Sequence, residues 1–207
     1  MTPTREDAWK LLQEYVKSES LVRHCLTVEA AMRAYAVKYG GDPEMWGMAG
    51  LLHDFDYEKF PHPDPVQKTG HPFEGVKVLK EKGYPEEIIQ AILGHAMYSG
   101  TPRETMMAKC LFACDELCGF IVAVARMRPD NLAGITPDTV RKYLKKKKFA
   151  EKVSREEIRQ GVEELPASPP ASSSLGGELQ RGEGIPEDEH ITLVIKALQG
   201  ISKELGF

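Results

Sequence analysis

No stretch of this 207-residue chain approaches the roughly 20 consecutive apolar positions that a helix needs to cross a bilayer, so no membrane span is expected. Positive charge is not in excess either. The 27 Lys and Arg face 31 Asp and Glu, a net charge of −4, and no basic footprint points to nucleic acid as a stable partner. Sustained alternation of apolar and polar residues, the mark of a half-buried strand, is missing. Aromatic residues make up only 8% of the chain, within an otherwise ordinary composition of 42% hydrophobic and 28% charged residues. Cysteine is scarce. Of Cys25, Cys110, Cys114 and Cys118, the last three fall at i, i+4 and i+8 on one helical stripe, poorly aimed at each other for disulfides. No CxxC pair suggests a thiolate metal site. Buried free thiols in a reducing compartment are the expectation. The charged opening "MTPTREDAWKLLQEY" starts a helix rather than a signal peptide, which adds to the expectation of a cytoplasmic protein.

What the chain does have is helix after helix. Thr4 is placed to cap a first helix running to about Lys17. Residues 19–39 carry Leu21, Cys25, Val28, Met32 and Ala36 at helical spacing and stop at Gly40-Gly41. Asp42-Pro43 reads as an N-cap followed by proline at the first helical position. "EKFPHPDPVQKTG" must be a loop. Helices from about Pro72 to Lys82 and from Pro85 to about His95 follow. Thr101-Pro102-Arg103-Glu104 has the form of a capping box ahead of the most apolar helix, "MMAKCLFACDELCGFIVAVA", and "ITPDTV" and "SREE" start two more. The fold class is all-α, a bundle of about seven to nine helices by this reading.

The organisation read from composition is a helical domain over residues 1–165, a flexible Pro/Ser/Gly-rich linker over 166–185, and a C-terminal amphipathic helix over 186–207. Ile191, Val194, Ile195, Leu198, Ile201 and Leu205 form its apolar stripe. That stripe is expected to pack on the core or on a partner subunit, the second giving a homodimer.

Six histidines are present, and singly each has an ordinary structural reading. Their positions change that. His24 lies inside the second helix, His53 and Asp54 end an apolar one in "GLLHDFD", and His71 heads a helix in "TGHPFEG". His95 ends another in "AILGHAMYSG", and Asp115 interrupts the most apolar helix. Burying a carboxylate is costly unless a positive charge accompanies it, and a divalent cation supplies one. Imidazole with carboxylate is a ligand set for Zn, Fe, Mn, Ni or Co. His190 fits no part of this pattern.

His24, His53-Asp54, His71, His95 and Asp115 on consecutive helices resemble the HD superfamily of metal-dependent phosphohydrolases over roughly residues 19–128. The resemblance implies that His24, His53, Asp54 and Asp115 hold one divalent metal, Fe, Mn, Co, Ni or Zn with Mg also admissible. Asp54 would bridge to a second metal completed by His71 and His95. Neighbouring helical residues point about 100° apart, so His53 and Asp54 can straddle a metal. The implied activity is hydrolysis of a phosphoester or phosphoanhydride by metal-activated water, with a small phosphorylated, nucleotide-like substrate. Asp54 is then catalytic, and Lys59, a few residues on with Asp56 and Glu58, is a candidate general acid. The sequence "HDFD" departs from the His-Asp-Ile-Gly variant of the family. Two other functions share the ligand set: a di-iron HD-fold oxygenase, and a non-catalytic module that binds a nucleotide or partner.

Arg103, between the His95 turn and the apolar helix, is positioned as a substrate-binding clamp for phosphate. Lys142 and Lys145 to Lys148 read as a solvated helix end that complements the dipole. His62 and Asp64 lie on a loop bordering the expected site.

Overall fold

The computed structural model describes residues 3–168 and 184–207. Among these residues the regular structure is nine α-helices and one short 3-10 turn, with no strand, so the all-α expectation holds. Most helices begin where a short polar side chain can accept from an orphan backbone N–H. Thr4 forms a capping box with Asp7 at the head of α1 (Arg5–Tyr15), and Ser18 caps α2 (Glu19–Tyr39), which stops at Gly40. Asp42 caps α3 (Pro43–Leu52), with Pro43 at the first helical position. Next come α4 (Phe73–Glu81), α5 (Glu86–His95) and the 3-10 turn Met97–Ser99. The remaining helices are α6 (Met106–Arg126), α7 (Pro137–Leu144), α8 (Arg155–Glu164) and α9 (Glu187–Gly200).

Two starts differ from the sequence reading. Thr105, not Thr101, caps α6 by accepting from the Ala108 N–H at 3.2 Å, and residues 101–104 precede the helix as irregular chain. The apolar stripe begins only at Met107, and the cap closest to it wins. At α8, Ser154 accepts from the Glu157 N–H, but its own N–H goes to the Glu116 carboxylate at 2.9 Å. The Ser154-x-x-Glu157 spacing therefore forms only half of a capping box.

The two longest helices, α2 and α6, each of 21 residues, form the centre. α3 lies along α2, α5 and α8 pack on α6, and α9 lies against both α2 and α6. All four cysteines are buried and free, consistent with apolar roles. The α9 stripe joins the chain's own core: Ile191, Val194, Ile195, Leu198 and Leu205 are all buried. His190, also buried, donates from Nε2 to the Ala113 carbonyl of α6 at 3.2 Å and accepts at Nδ1 from the Tyr35 hydroxyl of α2.

The expected linker falls mostly outside the described residues, but its ends are fixed. The Ile185 N–H donates to the Leu165 carbonyl at 2.8 Å, and the Tyr39 hydroxyl donates to the Pro166 carbonyl at 2.6 Å. Leu165 and Ile185 are both buried, so the chain leaves and re-enters the core at one point.

Candidate metal centre

Five segments deliver the expected ligands to one place. His24 comes from the second turn of α2, His53 and Asp54 from the end of α3, and His71 from the approach to α4. His95 is the last residue of α5, and Asp115 sits midway along α6. His24, His53 and Asp115 form one group. His24 Nε2 lies 2.9 Å from Asp115 Oδ1 and 3.1 Å from His53 Nε2, while His53 Nε2 is 3.4 Å from Asp115 Oδ1. Asp54, His71 and His95 form the second group. Asp54 Oδ1 lies 3.2 Å from His71 Nε2 and 3.5 Å from His95 Nε2, and the two imidazole nitrogens are 3.3 Å apart.

Asp54 joins the groups. Its Oδ2 faces the first, 3.5 Å from His53 Nε2 and 3.8 Å from His24 Nε2, while its Oδ1 faces the second. One carboxylate thus presents one oxygen to the first trio and the other to the His71–His95 pair.

The imidazoles are oriented from behind. His53 Nδ1–H donates to the Gly50 carbonyl at 2.8 Å and His95 Nδ1–H to the Ile92 carbonyl at 2.5 Å. His71 Nδ1–H donates to Asp56 Oδ1 at 2.6 Å, and Asp56 Oδ2 accepts from the Gly75 N–H at 2.7 Å. Such outer contacts fix the tautomer and leave Nε2 with its lone pair aimed inward. Two glycines make the approach feasible. A Cβ at Gly75 would lie 2.6 Å from the Asp56 carboxyl carbon, and one at Gly50 would lie 2.8 Å from the Val28 backbone.

This arrangement fits a cation. His71 and His95 direct lone pairs at each other and at Asp54 Oδ1 with no donor between them, an electron-rich cluster in apolar surroundings. Burial disfavours a charged His53, yet Asp54 and Asp115 outweigh it and push its pKa up to about 9. Burial also disfavours ionised Asp54 and Asp115, and the histidines overcome that and hold both well below the usual carboxylate range. The same field that attracts protons would attract a divalent metal. One side remains open: the side chains of His24, Asp54 and Asp115 are 21, 17 and 20% exposed.

Two expected residues lie elsewhere. Lys59 is exposed, and its ammonium sits over the Tyr15 ring, 3.4 Å from the centroid, instead of joining the six ligands. Arg103 is already committed. Its Nε and Nη2 grip Glu164 at 2.7 and 2.5 Å, its Nη1 donates to the Gly94 carbonyl at 3.0 Å, and its guanidinium stacks on Phe112. It fastens the end of α5 to α6 and α8. Glu58 accepts from the Lys17 and Ser18 N–H groups ahead of α2. His62 and Lys145 to Lys148 are exposed and outside the cluster.

The sequence reading missed the role of Asp56 as the support of His71; its only signal was a second acid two residues past the His-Asp pair. Glu116, beside Asp115, also went unassigned. Burial first and Asp115 second push its carboxyl up to about 7.

Residues 21–119 match the HD domain family, a span that contains all six residues of the cluster. The match identifies an HD domain over just under half of the chain, and HD domains constitute a superfamily of metal-dependent hydrolases. No curated protein and no solved structure matches the chain. No helix among the described residues is long and apolar enough to cross a membrane.

Proposed function

We propose that the chain is a phosphohydrolase that uses one or two divalent transition metals and acts on a small phosphoester or phosphoanhydride. The observation that supports this most directly is the placement of Asp54, with one carboxylate oxygen toward His24 and His53 and the other toward His71 and His95. When bound, divalent cations supply Lewis acidity toward a phosphoryl oxygen and make an attacking water acidic enough to act near neutral pH.

The protein's part is placement. His24, His53 and Asp115 would hold one ion, and His71 and His95 the other. Asp54 would fix the distance between them, and Asp56 would keep His71 in register. The apolar shell from α2, α3 and α6 lowers the local dielectric, which strengthens every charge interaction at the open face. Hydrolysis then forms one P–O bond to water oxygen, breaks the bond to the leaving oxygen, and returns a proton to that oxygen.

The test is metal analysis of untagged protein beside Asp54→Ala, followed by phosphoester and nucleotide hydrolysis assays in the metal found. Near two equivalents in the parent, lost in the variant together with roughly 1000-fold in rate, is the expected result. One equivalent would make His71 and His95 supports rather than ligands. A loaded protein with no turnover on any phosphoester would overturn the hydrolase reading and leave a binding module.

A further inference from the structure

Seven large apolar side chains among the described residues are more than a third exposed, and their distribution is uneven. Val37 and Met127 stand alone, whereas Tyr57, Phe60, Val66, Met97 and Tyr98 belong to two short segments. Those segments follow metal-cluster residues directly: Tyr57 is three positions past Asp54, and Tyr98 three past His95. Both converge on His71. The Tyr57 ring meets the His71 ring edge to face with centroids 5.3 Å apart, and the Tyr98 hydroxyl donates to the His71 carbonyl at 3.1 Å. The His71 N–H in turn donates to the Phe60 carbonyl at 2.8 Å.

A single exposed tyrosine needs no explanation, but two exposed tyrosines meeting one residue of a polar cluster do. Tyr57 and Tyr98 are 47 and 42% exposed. The hydroxyl of Tyr98 is anchored, which limits its ring to a small range of orientations. Lys59, in the same segment as Tyr57, is held over Tyr15, so the charge in that stretch is spent elsewhere. What the two segments offer beside the cluster is aromatic surface.

We propose that Tyr57 and Tyr98 form an aromatic wall beside the metal cluster, which selects a phosphoester whose phosphate is carried by a group containing a flat unsaturated ring, a nucleobase or an aryl group. This rests on the phosphohydrolase reading and narrows its substrate class. Ring stacking on a tyrosine face is tolerant of ring identity, whereas recognition of an open polyol would call for amide or carboxylate side chains at that rim. Because the wall touches His71, the ring would be stacked while its phosphate reaches the cluster.

The experiment uses the full metal-loaded chain and three substrates: a nucleoside monophosphate, phenyl phosphate and glycerol phosphate. The parent should favour one or both ring-bearing substrates over glycerol phosphate by about tenfold or more in kcat/KM. Tyr57→Ala and Tyr98→Ala should each raise KM for the ring-bearing substrate about tenfold, with a markedly smaller change for glycerol phosphate, and Tyr57→Phe and Tyr98→Phe should retain the preference. Val37→Ala and Met127→Ala, at isolated exposed positions, serve as unaffected controls. Preference for the nucleotide alone identifies a nucleobase as the ring, and preference for phenyl phosphate alone an aryl group. Equal turnover of all three by the parent, or equal losses on all three in the alanine variants, would overturn the wall. Calorimetric titration with adenosine and with phenol separates this inference from the reading beneath it. If no phosphoester is turned over, binding that weakens about tenfold in the alanine variants still supports the wall, and absent binding overturns it.

Discussion

His53 and His190 are both fully buried, and the protein surrounds them by opposite means. His190 has a partner of the right polarity at each nitrogen, a hydroxyl donor at Nδ1 and a carbonyl acceptor at Nε2. Its burial has no carboxylate to offset it, and its pKa falls to about 4. His53 has a carbonyl acceptor at Nδ1, but its Nε2 faces His24 Nε2 at 3.1 Å and two carboxylates. There the pKa rises to about 9, because Asp54 and Asp115 outweigh burial. Burial alone therefore does not distinguish a hydrogen-bonded core histidine from one placed to hold a cation. The distinguishing feature is what the second nitrogen faces.

Exchanging the two residues gives the sharpest break. His53→Ala should remove at least one metal equivalent and lower hydrolysis by at least about 100-fold, more than loss of a mere supporting contact would. His190→Ala should keep the metal stoichiometry and instead lose roughly 3 kcal/mol of stability. It would leave a void together with unpaired Tyr35 and Ala113 groups, and the melting temperature should fall by roughly 6–12 °C. Metal loss in the second variant, or none in the first, would dissolve the distinction.

Acid should probe the same contrast. The pKa of His190 is depressed on folding, from an ordinary value near 6.5 to about 4, so the unfolded chain binds the extra proton between those values. The stability contributed by neutral His190 is thus complete above about pH 6.5 and is lost as pH falls toward 4, up to about 3 kcal/mol. Urea unfolding of parent and His190→Gln at pH 7 and 4.5 should show a smaller pH dependence in the variant. Identical dependence would mean that other groups carry the acid sensitivity.

A smaller effect is expected from Asp56→Asn, which retains the shape but weakens the grip on His71 Nδ1–H. The more weakly held metal should lose 10- to 100-fold in affinity, measured by chelator competition, while the other is retained. Smallest is Arg103→Ala. Loss of the Glu164 pair and the Gly94 contact should cost about 2 kcal/mol of stability with KM unchanged. A raised KM at unchanged stability would restore Arg103 to substrate binding.

Much of this was legible in the residues because local chemistry decides it. Thr4, Asp42-Pro43 and Ser154 mark helix starts through their own side chains, and they cap where expected. The six candidate ligands stood out because titratable residues in or beside apolar helical segments require a reason. The misses depend on partners far away in the chain. Arg103 is claimed by Glu164, 61 residues later, and Lys59 is drawn to Tyr15, 44 positions earlier by sequence number. Asp56 takes its meaning from His71 and from the notch at Gly75, neither visible from the acid's own neighbours. The Thr101 motif resembled a cap in composition and was outcompeted by Thr105 four residues on.

The meeting of Leu165 with Ile185 separates the chain's connectivity from its architecture. Since α9 is located by His190 and its own apolar stripe, the length of polypeptide joining the two ends is nearly free thermodynamically, each doubling costing only about 0.6 kcal/mol. That point is a natural splice site: related chains can lengthen, shorten or exchange the intervening sequence without re-solving the core.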